Sequence, residues 1–359
     1  MIKKIIPIVF AVTLAASLFA ASCAPEEGDE TSSSSITIVD SAGRTVEVPQ
    51  PLERIATSDS GTAEVIRALG ATDKIVGIAD HMVKYDYFWP ELQDRPIIGS
   101  FSELDLEKVI DIEPQVLFTV SLAAEYEPPD MEERMEAAGI KVIRMDFHEM
   151  GTAATDIRTV GLILGKEEEA EEFANFLQSK IDFVEERVEE IEAEEMKMVY
   201  LESGYTDYTA HGPGSTVDEL LGKAGGINIF ADLGVTYSEV DPEEILVREF
   251  DVVIKCAMGA KYGGYTATDT SDMEALTNEM MSRPGWSELE AVQNGQVYIE
   301  GRDLLGGTKY PIRLCYFAKI LYPDRFEDLD AEAFHQEYLE KYQGLEFKGI
   351  YVYPCPWAE

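Results

Sequence analysis

The chain has 359 residues, with 29 Lys and Arg against 69 Asp and Glu, and a formal net charge of −40 at pH 7. So acidic a chain offers no footprint for nucleic-acid phosphates and no polybasic stretch for a membrane contact. Hydrophobic residues make up 45% of it, ordinary for a globular body, and the length exceeds what one core organises, so two lobes are expected.

The first element is a leader. Met1-Ile2-Lys3-Lys4 is basic, Ile5 to Ser22 carries no charge, and Ala20-Ala21-Ser22 leads directly into Cys23. This is the pattern of a secretory signal peptide over 1–22. A cysteine straight after the small residues resembles a lipobox, which implies lipidation of Cys23 and cleavage just before it. Ala20 departs from the large aliphatic residue usual at that place, so ordinary cleavage and an uncleaved anchor stay as alternatives. The apolar run is slightly short for a spanning helix of about 20 residues. Residues 23–35 are small, acidic and serine-rich, a composition that buries no core and reads as a flexible tether. The expected location is the outer side of the cytoplasmic membrane, held by lipid.

Short apolar strands then alternate with helices. Arg54 to Thr57, Ile75 to Ile78, Val116 to Thr119 and Lys141 to Met145 read as strands. Helices are expected over Thr62 to Leu69, Leu106 to Ile112 and Pro129 to Ala138. That order implies βαβ units and a parallel sheet. From Thr152 to Glu192 the pattern changes. Gly165 marks a break, and beyond it Ala170, Phe173, Leu177, Ile181, Val184, Val188 and Ile191 recur at three- and four-residue steps, one face of a long helix. Strands resume at Met198 to Leu201, Asp251 to Lys255 and Gln296 to Ile299, with a helix over Ser215 to Leu221. Residues 105–118 can be laid on residues 241–254 at a constant offset, with identities at Asp105/Asp241, Glu107/Glu243, Glu113/Glu249 and Val116/Val252. The expected fold is α/β: two Rossmann-like lobes with parallel-rich sheets, over 36–151 and 193–359, joined by one long helix over 152–192. The second lobe carries further helices near its C-terminus.

Cys256, Cys315 and Cys355 remain beside Cys23. Their spacing fits no zinc pattern, and a Cys256–Cys315 disulfide stays open. His81, His148, His211 and His335 are scattered with no His-Glu-x-x-His, so a zinc hydrolase has no support. The chain has no Gly-x-Ser-x-Gly elbow, no P-loop and no Gly-x-Gly-x-x-Gly, which disfavours an enzyme.

Several segments, in order, resemble the landmarks of one family. They are Ile36 to Pro49 with Glu53-Arg54-Ile55, then Leu104-Asp105-Leu106-Glu107 with Glu113-Pro114. Gly225-Gly226-Ile227-Asn228 follows, and then Arg283-Pro284-Gly285-Trp286 through Gln296-Val297-Tyr298. They resemble the periplasmic binding proteins of ABC importers that carry ferric siderophores, haem and cobalamin. The likeness covers most of the chain after the tether. It implies two lobes on a helical spine that hinge little, a ligand in the cleft, no catalysis and no cofactor. It also implies a monomer that meets an ABC permease dimer with its ATPase. Glu107 and Glu243 match the positions where that family places one exposed carboxylate per lobe for permease arginines. Charge-assisted bonds of this kind fix orientation. The alternative is an acid that merely favours the start of its helix.

Ligands in open α/β sheets bind beyond the carboxyl ends of the strands. That rule nominates Ser58, Asp59 and Ser60, His81 and Met82, Ser100 and Phe101, and Ser121 in the first lobe. In the second it nominates Tyr205, Tyr208 and His211, Met258 and Tyr262, and Arg302 and Asp303. Aromatic side chains cover planar or chelate ligands, and a guanidinium pairs with carboxylate or catecholate oxygens. Tyr and His can also ligate iron; whether the protein itself holds a metal is left open. The expected ligand is an iron(III) complex of siderophore or haem type. A corrinoid, or an oxyanion such as molybdate or tungstate, is the alternative on the same fold. A surface sensor using the same cleft is the alternative role.

Overall fold

The computed structural model describes residues 34–147, 151–259 and 262–357. The leader, Cys23 and the tether up to Ser33 lie outside the described residues.

A hairpin of β1 (Ser34–Val39) and β2 (Thr45–Gln50) opens the body. The first lobe then runs β3 (Ile55–Thr57), α1 (Ser60–Ala68), β4 (Ile75–Ile78), α2 (Asp80–Lys84), α3 (Leu106–Asp111), β5 (Val116–Thr119), α4 (Met131–Ala137) and β6 (Lys141–Arg144). Its sheet has the order β4-β3-β5-β6 and is parallel throughout. Val116 and Phe118 of β5 join the main core, while Leu117 joins a smaller one on the other face. This is the two-residue alternation of a strand covered on both sides.

Two helices follow, α5 (Ala153–Leu164) and α6 (Glu167–Val188). The single connecting helix expected over 152–192 is therefore a helical hairpin. Gly165 caps α5 in the left-handed conformation, at φ 65, which glycine adopts without a side-chain clash. The 22-residue α6 buries Ala170, Phe173, Leu177, Ile181 and Val184, the apolar face read from the sequence.

The second lobe contains β7 (Lys197–Gly204), β8 (Thr209–His211), α7 (Thr216–Lys223), β9 (Gly226–Asn228), β10 (Tyr237–Glu239), α8 (Pro242–Val247), β11 (Val252–Ala257), α9 (Ser271–Met281), α10 (Glu290–Gln293) and β12 (Val297–Glu300). It closes with α11 (Tyr310–Leu321), α12 (Ala331–Glu337) and β13 (Val352–Tyr353). Strands β9, β7, β11 and β12 pair in parallel, and β8, β10 and β13 are added by antiparallel pairing.

The repeat seen in the sequence holds in three dimensions. Asp105 and Asp241 cap α3 and α8, accepting from the backbone N–H of Lys108 at 3.2 Å and of Glu243 at 2.9 Å. Each helix leads into a central parallel strand, β5 at Val116 and β11 at Val252.

Helix α11 is buried along its whole length and packs on α6, α7 and α12. Its two buried cations are satisfied, as burial requires. Arg313 forks onto the Glu300 carboxylate, and Lys319 donates to the carbonyls of Phe326 and Leu329. One hydrophobic core thus runs from the first lobe through α6 and α11 into the second. Cys256 and Cys315 are buried free thiols; the disulfide left open between them is not formed.

Candidate functional site: a walled cavity between the lobes

The segments that leave the carboxyl ends of β3, β4, β11 and β12 converge on a cavity of about 230 Å³. Ser60 and Glu64 come from α1. His81, Tyr85, Tyr87, Phe88 and Trp89 follow β4. Met258 follows β11, and Arg302, Asp303, Leu305, Gly306 and Lys309 follow β12. A larger open groove of about 830 Å³ lies at the amino ends of β7 and β11 and is lined by Glu194, Glu195, Lys197, Asp251 and Arg325. It sits at the wrong end of the strands for a ligand site in this kind of sheet.

The aromatic wall is fixed from below. The Arg67 guanidinium lies 4.7 Å from the Phe88 ring centre and 4.1 Å from that of Trp89, and donates to the Phe88 carbonyl at 2.6 Å. Backbone bonds from Phe88 and Trp89 to the Tyr85 carbonyl close the turn. Tyr85 and Tyr87 meet edge to face at 6.0 Å, and Phe88 and Trp89 at 5.1 Å, geometries favoured by ring quadrupoles.

The floor is a buried ion pair. Glu64, 1% exposed, accepts from the Thr308 backbone N–H at 2.8 Å, the Thr308 hydroxyl at 2.9 Å and the Tyr338 hydroxyl at 2.9 Å, and it pairs with Lys309. Gly307 is required beside it: its φ is +61, and a Cβ there would lie 2.3 Å from a Glu64 carboxylate oxygen. The ammonium of Lys309 stands 5.1 Å over the Phe88 ring.

Arg302 sets the polarity of the cavity. Its guanidinium stacks 4.2 Å from the Tyr85 ring centre. Among the described residues it forms no ion pair and no hydrogen bond. Burial lowers its pKa, partly offset by the neighbouring Asp303 charge. His81 is also held below its usual pKa, by burial first, with Asp80 opposing and Lys84 and Arg302 assisting. The arrangement is a half-buried cation beside an imidazole and a thioether, under an aromatic roof. Such a site receives an anion with flat apolar faces.

Of the fifteen residues nominated for the cleft, Ser60, His81, Met258, Arg302 and Asp303 line this cavity. Met82 is buried in the core next to it. Ser58 is buried, its backbone N–H donating to the Phe118 carbonyl, and Asp59 caps α1 by accepting from Thr62 at 2.8 Å. Ser100 and Phe101 lie in a turn where the Ser100 hydroxyl accepts from the Glu103 N–H at 3.0 Å. Ser121 donates its backbone N–H to Asp146. Tyr205 is 74% exposed. Tyr208 has φ 59 and lies under Arg283 at 4.5 Å. Tyr262 packs against the outer core of the second lobe. His211 is buried with both ring nitrogens unpartnered, and burial with the Arg313 charge pushes its pKa down to about 3. None of these ten residues lines the walled cavity.

Sequence reasoning missed the aromatic wall and the floor. The wall had a signal: Tyr85-Asp86-Tyr87-Phe88-Trp89 places four aromatics in five positions directly after a strand–helix turn. The floor had none, because Glu64 and Lys309 meet only through the fold. Among the described residues no group of His, Cys, Asp and Glu is arranged to hold a metal ion.

Residues 55–304 match the family model described as periplasmic binding protein. The chain is 24% identical over 299 residues to the uncharacterized ABC transporter substrate-binding lipoprotein YvrC of Bacillus subtilis, covering 82% of this chain and 87% of that one. It is 20% identical over 341 residues to the molybdate-binding protein MolA of Haemophilus influenzae, covering 87% and 92%. Among solved structures, the TroA-like periplasmic binding protein FepB from Veillonella parvula superposes with a TM-score of 0.80 at 28% identity, over 88% of this chain and 99% of that one. The chain belongs to the periplasmic binding protein family, and it is a solute-binding protein rather than an enzyme.

Proposed function

We propose that this protein is the substrate receptor of an ABC importer, anchored outside the membrane by lipid on Cys23, and that it captures an iron(III) complex in the cavity between its lobes. One observation carries the ligand reading: Arg302 is a guanidinium with no anion, held against an aromatic wall. Ferric chelates present anionic oxygens on a broad, partly flat body. A guanidinium takes such oxygens in pairs, and the rings of Tyr85 and Phe88 cover the faces between them. The description of YvrC as a lipoprotein supports the anchor. The permease is met through Glu107 and Glu243, one exposed carboxylate on each lobe at the equivalent helix start.

The cavity is compact, at about 230 Å³, below the ~300–1,000 Å³ common for small-molecule sites. That size favours a second reading, a small oxyanion held by Arg302. A thermal-shift panel separates them, since a ligand that binds only the native state raises apparent stability by mass action. The protein without residues 1–23 is offered ferric citrate, ferric catecholates and hydroxamates, haem, cobalamin and molybdate. Ferric chelates are expected to raise the melting temperature, and Arg302→Ala to abolish the shift. A shift with molybdate alone or cobalamin alone overturns the iron reading.

A further inference from the structure

Arg302 has a carboxylate as its immediate chain neighbour and yet is not paired with it. Both oxygens of Asp303 are engaged elsewhere. One accepts from the Tyr87 hydroxyl at 2.9 Å, and the other from the Tyr265 backbone N–H at 2.8 Å. The second oxygen also lies against Gly264, where a Cβ would come within 2.5 Å of it. Tyr87 arrives from the first lobe and stacks on Tyr265 of the second, with ring centres 5.6 Å apart and planes 12° apart. The Lys348 ammonium stands 4.7 Å from the Tyr265 ring.

We propose that Tyr87 and the Tyr265 amide hold Asp303 away from Arg302, and that this diversion keeps the guanidinium open to an anionic ligand. Tyr87 is on this view a positioning residue that sets charge specificity. A carboxylate with two good donors has its lone pairs directed at them, and each donor strengthens the other's hold on the same orientation. Burial and the Asp303 charge raise the Tyr87 pKa, so the phenol stays a donor. Remove that donor, and Asp303 is left with one free oxygen beside an unpaired cation in a half-buried cavity. A charge-assisted contact then forms at the place the ligand needs.

This inference rests on the cavity being the ligand site, but its test does not need the ligand. The full chain, ligand-free, is treated with phenylglyoxal, and the modification rate of Arg302 is read by peptide mass spectrometry. Arg283 and Arg313, buried on carboxylates, serve as unreactive internal controls. Tyr87→Phe is expected to slow Arg302 modification severalfold, and Tyr87→Phe with Asp303→Asn to restore the original rate. Asp303→Asn alone is expected to raise the rate only slightly, because the Asp303 charge acts on Arg302 across a gap with no direct contact to break. An unchanged rate in Tyr87→Phe overturns the proposal, and so does a severalfold faster rate in Asp303→Asn alone. The second outcome is readable even where Tyr87→Phe fails to fold. Protection of Arg302 by ferric citrate tests the ligand reading separately: without protection that reading fails, while the rates of the variants still decide the clamp.

Discussion

His335 lies among Tyr316, Phe347 and Tyr351, its Nδ1 3.3 Å from the Tyr316 hydroxyl. Burial, with help from the Lys309 charge, pushes its pKa down to about 3. An unfolded chain binds that proton near pH 6.5. Between the two values the unfolded state holds more protons, so stability falls as pH drops through this window. His211 acts in the same direction, with a pKa of about 3. His335→Gln keeps polar contact with Tyr316 and removes one titration. Calorimetric melting from pH 6.5 down to 4 should then show a shallower loss of melting temperature than the parent; an equal slope contradicts the assignment. The residue scale is also where the sequence spoke least clearly. The strand-end rule reached His81, Met258 and Arg302, because it knows where strands stop. It could not tell that the ends of β5 and β7 stand off the walled cavity, since that depends on which sheet edges face each other. Nor could it find Glu64, which is a mid-helix residue in every local reading.

Elements were far more legible. β4 and β5 fall on the residues expected, because short apolar runs closed by turn residues have few other ways to be buried. The offset between 105–118 and 241–254 corresponds to a pair of equivalent helix–strand units, since the same aspartate cap and the same valine start recur. The spine is two helices broken at Gly165, where the sequence pattern predicts one. Helical periodicity continues across a hairpin whose two arms both face the core, so the pattern alone does not reveal the reversal. Docking belongs at this scale. Each of α3 and α8 precedes a parallel strand, so each starts on the cleft side of its lobe, with Glu107 and Glu243 one residue into the helix. The Glu107 side chain is 77% exposed and, among the described residues, pairs with Arg134 alone, at 2.5 Å. The double variant Glu107→Ala, Glu243→Ala should lose uptake in a transport assay while ligand affinity stays at the parent value. Normal uptake by that variant removes the docking role.

For the whole molecule, the Glu64 network matters most, because it ties α1 of the first lobe to the segment before α11 and to Tyr338 beyond α12. Glu64→Ala strands a buried ammonium, and breaking a buried pair from one side costs about 3–5 kcal/mol. Denaturant unfolding should show that loss, and Glu64→Ala with Lys309→Met should recover a substantial part of it. A small loss in the single variant would mean that water already reaches Lys309. The same connection has a consequence for traffic at the membrane. One core passes through α6 and α11 into both halves, so on the docking proposed above an empty receptor and a loaded one would present nearly the same outline to a permease. On that proposal occupancy would have to be announced by the cargo itself at the mouth of the cleft, and an unloaded receptor would compete for the same dock until it diffused away.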